Sequence, residues 1–163
     1  APLSQQAADT LLAQHALGGQ FACIVPFASG TLQGRPKTWP TFPELARWLR
    51  QLMPVVVVPG PGSEAALAHA QYPEAIAFEG ADLGTYAGVL RRARLVVAND
   101  TGPAHIAAAV GAPLLSVLGP TDPVRHRPWG AHVNVVQQQP WPTLEQVTAE
   151  ARRMLADAHP TGG

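Results

Sequence analysis

Apolar positions along this chain fall into two alternating patterns. Residues 4–17 (SQQAADTLLAQHAL) space theirs as an amphipathic helix does, and Gly18-Gly19 follow as a stop. FACIVPF (21–27) is an unbroken apolar run, long enough for a strand and too short for a helix. Helical spacing returns from Pro40 to Leu52, with Phe42, Leu45, Ala46, Trp48 and Leu49 on one broad face. VVVVP (55–59) is β-branched without polar alternation, as suits a strand covered on both faces. The same reading predicts helix 63–71, strand 75–78, helix 82–92, strand 95–98 and helix 103–110. It then predicts strand 114–119, strand 132–136 after a proline-rich loop, and helix 143–157.

Strands and helices alternating at this pace imply βαβ units. The expected class is α/β: a Rossmann-like open parallel sheet of about six strands with helices on both faces. Residues 20–158 read as its single domain, 1–19 as a connecting helix and 159–163 as a flexible tail, with no internal repeat. In such sheets ligands bind beyond the carboxyl ends of the strands. The loops that matter therefore begin at residues 27, 59, 79, 99 and 119, where Gly, Pro and polar residues concentrate.

Composition narrows the functions available to this fold. The 163 residues carry 11 Lys+Arg and 11 Asp+Glu, and this neutral balance lacks the electrostatic footprint of a general nucleic-acid binder. A hydrophobic fraction of 47% with 13% charged residues belongs to a folded body rather than a disordered one. Cys23, the only cysteine, excludes an intrachain disulfide or a cysteine-based zinc site, and reads as a small core residue. No apolar run reaches the roughly 20 residues of a membrane-spanning helix, and no signal-peptide pattern is visible at the N-terminus. A soluble, cytosolic domain is expected.

Several familiar motifs are absent. There is no GxGxxG after the first strand, no GxxxxGK[ST] and no GxSxG. No Asp-x-Asp pair or close His/carboxylate cluster offers a cation site, so a bound diphosphate would have to be neutralised by the protein. Asn99-Asp100-Thr101-Gly102-Pro103-Ala104-His105 is the most informative stretch, between the strand LVVA and the apolar IAAAV. Pro103 suits the first position of a helix, whose free N–H groups and positive dipole end form an anion site. Gly102 lets a phosphate approach the backbone. Capping by Asp100 or Thr101 explains part of this stretch without a ligand. Asp, Thr, Gly and His gathered at a strand's carboxyl end favour a site.

Lys37, the only lysine among the 11 basic residues, lies in the loop after the first strand, where it is either a solvated surface residue or a phosphate contact. Ser29 and Gly30 in the same loop offer hydrogen bonds to that phosphate. Glu64 follows Pro59-Gly60-Pro61-Gly62-Ser63 at a helix start. The dipole stabilises a carboxylate there with or without a ligand, and the functional reading is an acceptor for the vicinal hydroxyls of a ribose. Arg125 and Arg127 contact phosphate or lie solvated, and Trp129 either packs beneath its loop or stacks on a base, with packing the favoured reading. His15, His69, His132 and His159 have no partner in sequence and are read as non-functional.

In order, Lys37-Thr38-Trp39-Pro40, Pro59-Gly60-Pro61-Gly62-Ser63-Glu64, Asn99–His105 and Gly119-Pro120-Thr121-Asp122-Pro123 resemble one family. It is the C-terminal half of glycosyltransferase family 9, the ADP-heptose:lipopolysaccharide heptosyltransferases, matched from about residue 20 to 136. The resemblance implies a GT-B enzyme of two Rossmann-like domains, the C-terminal one holding the nucleotide-sugar donor and the N-terminal one the acceptor. By position, Ser29, Gly30 and Lys37 face the diphosphate, Glu64 holds the ribose, Thr101, Gly102 and His105 surround the phosphates, and Asp100 faces the sugar. It further implies inverting transfer of heptose from ADP-heptose to the lipopolysaccharide core, with no metal ion or other cofactor and with the catalytic base in the N-terminal domain. No catalytic residue is assigned to this chain. A complete enzyme needs about twice this length, so the chain is expected to be a fragment lacking the acceptor domain. The expected location is cytoplasmic, peripheral at the inner membrane through the full-length enzyme. Two other readings remain: a non-catalytic nucleotide-binding Rossmann-like module, and half of a GT-B nucleotide-sugar epimerase.

Overall fold

The computed structural model describes residues 2–15, 17, 20–27, 31–32, 35–36, 38–59, 64–99, 102–119, 132–138 and 140–157. Among them run α1 (Pro2–Gln14), β1 (Ala22–Val25), β2 (Thr31–Leu32), β3 (Arg35–Pro36), α2 (Phe42–Arg50), β4 (Val55–Val57) and α3 (Glu64–Gln71). There follow β5 (Ile76–Ala77), α4 (Leu83–Arg92), β6 (Leu95–Ala98), α5 (Gly102–Ala109), β7 (Leu114–Leu118), β8 (Val133–Gln137) and α6 (Leu144–Asp157).

Six strands form one parallel sheet in the order β5-β4-β1-β6-β7-β8. The expected Rossmann-like architecture is therefore present. The period-two alternation of each strand sorts its side chains between two cores. Cys23, Val25, Val56, Val96 and Ala98 pack with Leu12 of α1, Val89 and Leu90 of α4, and Ala104 and Ala107 of α5. Ala22, Ile24, Val55, Val57, Leu95 and Val97 pack on the other face with Phe42, Leu45 and Leu49 of α2, Ala68 of α3, and Val147 and Ala151 of α6. Both faces are covered, which explains why the strands read as apolar runs without alternation. Each fully buried Leu, Ile or Phe in these layers contributes about 1.5–3 kcal/mol.

Local chemistry sets the helix ends. The Asp82 carboxylate accepts from the Thr85 N–H at 2.7 Å and caps α4. Thr143 and Gln146 form a reciprocal capping box before α6: the Thr143 N–H donates to Gln146 Oε1 at 2.7 Å, and the Gln146 N–H to Thr143 Oγ1 at 3.1 Å. α1 ends at Gln14, ahead of the predicted glycine stop, because the Leu17 N–H turns back to the Leu12 carbonyl at 2.8 Å and Leu17 is buried. β1 stops at Val25, short of the predicted residue 27, because Pro26 has no N–H to continue a ladder. The two-stranded antiparallel β2–β3 ribbon has no counterpart in the sequence reading.

The chain runs from β1 outward through β4 to β5, then returns to the other side of β1 and continues through β6, β7 and β8. The order reverses between β1 and β6, the crevice where open α/β sheets receive ligands. Val25 is in register with Ala98, so Pro26 and Asn99 leave the sheet side by side at its carboxyl edge.

Candidate functional site

Three adjacent strands, β4, β1 and β6, deliver the three motif loops to that edge. Glu64 opens α3 after β4, and Gly102 opens α5 after β6. Ser29, Gly30, Lys37, Asp100 and Thr101 lie outside the described residues, as do Pro120–Pro123, Arg125, Arg127, Trp129 and the tail. Of the predicted site residues, Glu64, Gly102 and His105 are described, all at the start of the helices that follow β4 and β6.

Glu64 is half-buried. The phenol of Tyr86 on α4 is pushed above the ordinary tyrosine range, by burial first and then by Cys23 and by the Glu64 carboxylate. α5 begins with Gly102-Pro103, one residue earlier than expected, and its Pro removes an N–H that no helical carbonyl would accept. The positive end of the α5 dipole therefore lies at this edge. His105, in the same turn, is exposed to solvent.

Behind these groups stands a packed framework that the sequence reading did not single out. Asn99 is fully buried. Its N–H donates to the Val25 carbonyl at 3.2 Å, its Nδ2 donates to the Pro26 carbonyl at 2.6 Å, and its Oδ1 accepts from the Trp39 N–H at 3.0 Å. Trp39 is buried as well, and its indole N–H donates to the Pro142 carbonyl at 3.1 Å. An aromatic chain continues beneath it, Trp39 to Phe42 at 5.8 Å, Phe42 to Tyr72 at 6.4 Å and Tyr72 to Phe27 at 6.0 Å between ring centroids. The available signal was a polar residue closing an apolar strand, since a buried carboxamide must find partners.

Cys23 is buried in β1, as expected, and burial pushes its thiol up to about 12. Among the described residues no group of three or more His, Cys, Asp or Glu side chains could hold a metal ion. No helix among them is long and apolar enough to cross a membrane. His69, without a partner in sequence, pairs with Glu79 at 2.8 Å and ties α3 to the turn after β5. A cavity of about 680 Å³ opens on the α1 side of that turn, lined by Gln6, Thr10, His15 and Phe78 among others, and no described motif residue faces it.

Comparison with known proteins agrees with this arrangement. The family model for glycosyltransferase family 9 (heptosyltransferase) matches residues 2–153. Lipopolysaccharide heptosyltransferase 3 of Escherichia coli is 49% identical over 41 residues, which are 25% of this chain and 12% of that protein. E. coli ADP-heptose lps heptosyltransferase II superposes with a TM-score of 0.71 at 22% identity, covering 93% of this chain and 52% of that one. E. coli heptosyltransferase WaaC, solved with ADP, gives a TM-score of 0.66 at 27% identity, covering 91% of this chain and 49% of that one. The chain thus spans about half the length of these solved relatives.

Proposed function

This chain belongs to glycosyltransferase family 9, and on that premise we propose that it is the donor-binding domain of an inverting heptosyltransferase of lipopolysaccharide core biosynthesis. The observation that carries the reading is that Asn99 leaves β6 at the switch point and α5 opens at Gly102 soon after it, with β1 and then β4 the neighbouring strands. The relative solved with ADP supports an adenine nucleotide as ligand.

Each side chain then has a task. Lys37, Ser29, Gly30, Thr101, Gly102, His105 and the first-turn amides of α5 hold the diphosphate, the group on which charge develops as the sugar departs. Glu64 accepts hydrogen bonds from the ribose hydroxyls, and Asp100 faces the heptose. In the displacement the acceptor oxygen bonds to the anomeric carbon from one face while the bond to ADP breaks on the other, its electron pair leaving with the diphosphate. The acceptor's proton passes to a base that we assign to the acceptor domain, opposite the donor, so the 163-residue chain binds donor but transfers no sugar. Lys37 and the helix amides supply the neutralisation that metal-dependent transferases draw from a cation. The reaction is placed on the cytoplasmic side, with the lipopolysaccharide core as acceptor.

Calorimetric titration of the 163-residue chain with ADP, UDP, GDP and adenosine tests the reading. ADP should bind best and adenosine much more weakly, because the grip is on the phosphates. Failure of ADP to bind, or equal binding of ADP and adenosine, would remove the donor-site assignment.

A further inference from the structure

We propose that Asn99 is a positioning residue of the donor site, whose carboxamide holds Trp39 to the end of β1 and thereby sets the path of the segment that carries Lys37. The inference rests on the donor-site reading above.

Three features of the geometry carry it. First, the carboxamide faces one group that only accepts, the Pro26 carbonyl, and one that only donates, the Trp39 N–H. Only an amide, oriented one way, satisfies both: a carboxylate sets oxygen against oxygen at Pro26, and an aliphatic side chain leaves both backbone groups buried without partners. Second, the bridge joins chain exits rather than chain interiors. Asn99 directly precedes Asp100, Trp39 comes two residues after Lys37, and Pro26 begins the loop that carries Ser29 and Gly30. One side chain therefore ties together the three chain exits, Pro26, Trp39 and Asn99 itself, that border those segments in sequence. Third, Trp39 has an independent anchor, because its buried indole donates to the Pro142 carbonyl. Loss of the Asn99 bridge leaves the ring in its slot and releases the backbone on the Lys37 side.

A role in the fold alone would predict lower stability and equal effects on every ligand. A positioning role predicts an effect on phosphate that runs through Lys37. ADP and adenosine binding are to be measured on the 163-residue chain as wild type, Asn99→Asp, Lys37→Ala and the double variant. Asn99→Asp should weaken ADP about 3- to 10-fold at pH 8, the range of one buried hydrogen bond, with adenosine unchanged. The double variant should lose clearly less than the product of the two single losses, since the part of the Asn99 effect that runs through Lys37 vanishes once the ammonium is gone. Losses equal for ADP and adenosine, or losses that multiply in the double variant, overturn the proposal. If wild type binds no ADP, the donor reading itself has failed; if wild type binds and Asn99→Asp binds equally, only the positioning role has failed. Should Asn99→Asp not fold, exchange of the Trp39 amide in the wild type decides. It should slow on adding ADP while the amides of Leu115 to Val117 do not change, and an unchanged Trp39 rate overturns the proposal.

Discussion

Gly119 lies so close beneath Trp141 that a Cβ on this glycine would meet the indole Cδ2 at 2.5 Å and would also collide with the Pro140 carbonyl oxygen. The glycine closes β7 at the carboxyl edge, and its own carbonyl accepts from Gln137 Nε2 at 3.0 Å. Neither the indole nor the carbonyl has easy room to retreat, because the Pro142 carbonyl, one residue after Trp141, receives the Trp39 indole N–H. Gly119→Ala should therefore destabilise the chain by about 1–3 kcal/mol, the usual penalty for overpacking. Urea unfolding should show a lower midpoint at unchanged slope. A midpoint equal to wild type would mean that the loop yields freely and that the contact does not hold the edge together.

Lys37→Ala tests the phosphate grip directly. Removing a charge-assisted hydrogen bond costs about 1.5–3 kcal/mol, so ADP affinity should fall roughly 10- to 150-fold. Adenosine, without phosphate, should bind as before. Arg35→Ala is the control, because it removes the same formal charge two residues away. Titrations at two salt concentrations separate a contact from a general field effect. Equal, small losses for both variants would return Lys37 to a solvated surface role.

The sheet was legible because its chemistry is local and repeated. Val55–Val57 and Leu95–Ala98 are buried on both faces, and their unbroken apolar runs say so. The capped helices were legible for a similar reason, since Asp82 and Thr143 stand next to the turns they close. The β2–β3 ribbon was not: two residues per strand, one of them Pro36, leave no periodicity to detect. The framework of the site was hidden by distance along the chain. Asn99 reaches Trp39 across 60 residues and Pro26 across 73, and the packing of Gly119 against Trp141 likewise joins positions far apart in sequence. Motif residues show themselves by type and order; their supports show themselves only by contact.

ADP affinity of the chain should be insensitive to EDTA. Nothing in the sequence pairs carboxylates as a divalent cation requires, and no metal-binding cluster forms among the described residues. On the proposed donor-site reading, Lys37 and the start of α5 neutralise the diphosphate in place of a cation. Calorimetry before and after chelation, with magnesium added back as a third arm, measures this. A large loss on chelation that magnesium restores would place a cation in the site and reassign the neutralising role.

The last expectation concerns alkaline pH and Cys23. Burial pushes this thiol up to about 12 in the native chain, whereas in the unfolded chain it ionises near its ordinary value of about 8.5–9. Below about pH 7.5 both states keep the proton and the thiol adds no pH dependence. From about pH 8 up to 12 the unfolded state binds fewer protons than the native state, so native stability falls as pH rises, most steeply above pH 9. Tyr72 and Tyr86 act in the same direction, both raised chiefly by burial, but their effect begins only near pH 10, where an unfolded phenol ionises. The interval from pH 9 to 10 therefore belongs mainly to Cys23. Urea midpoints should be nearly flat from pH 7 to 7.5, begin to fall near pH 8 and decline clearly above pH 9. Cys23→Ala should start lower, because it leaves a small void in β1, yet decline less steeply between pH 9 and 10. Thiol labelling gives an independent check: at pH 8 without denaturant it should proceed only as fast as the chain opens. Rapid labelling of the folded chain, or identical slopes for wild type and Cys23→Ala, would show that the thiol is reached by solvent and that β1 is less sealed than its packing indicates.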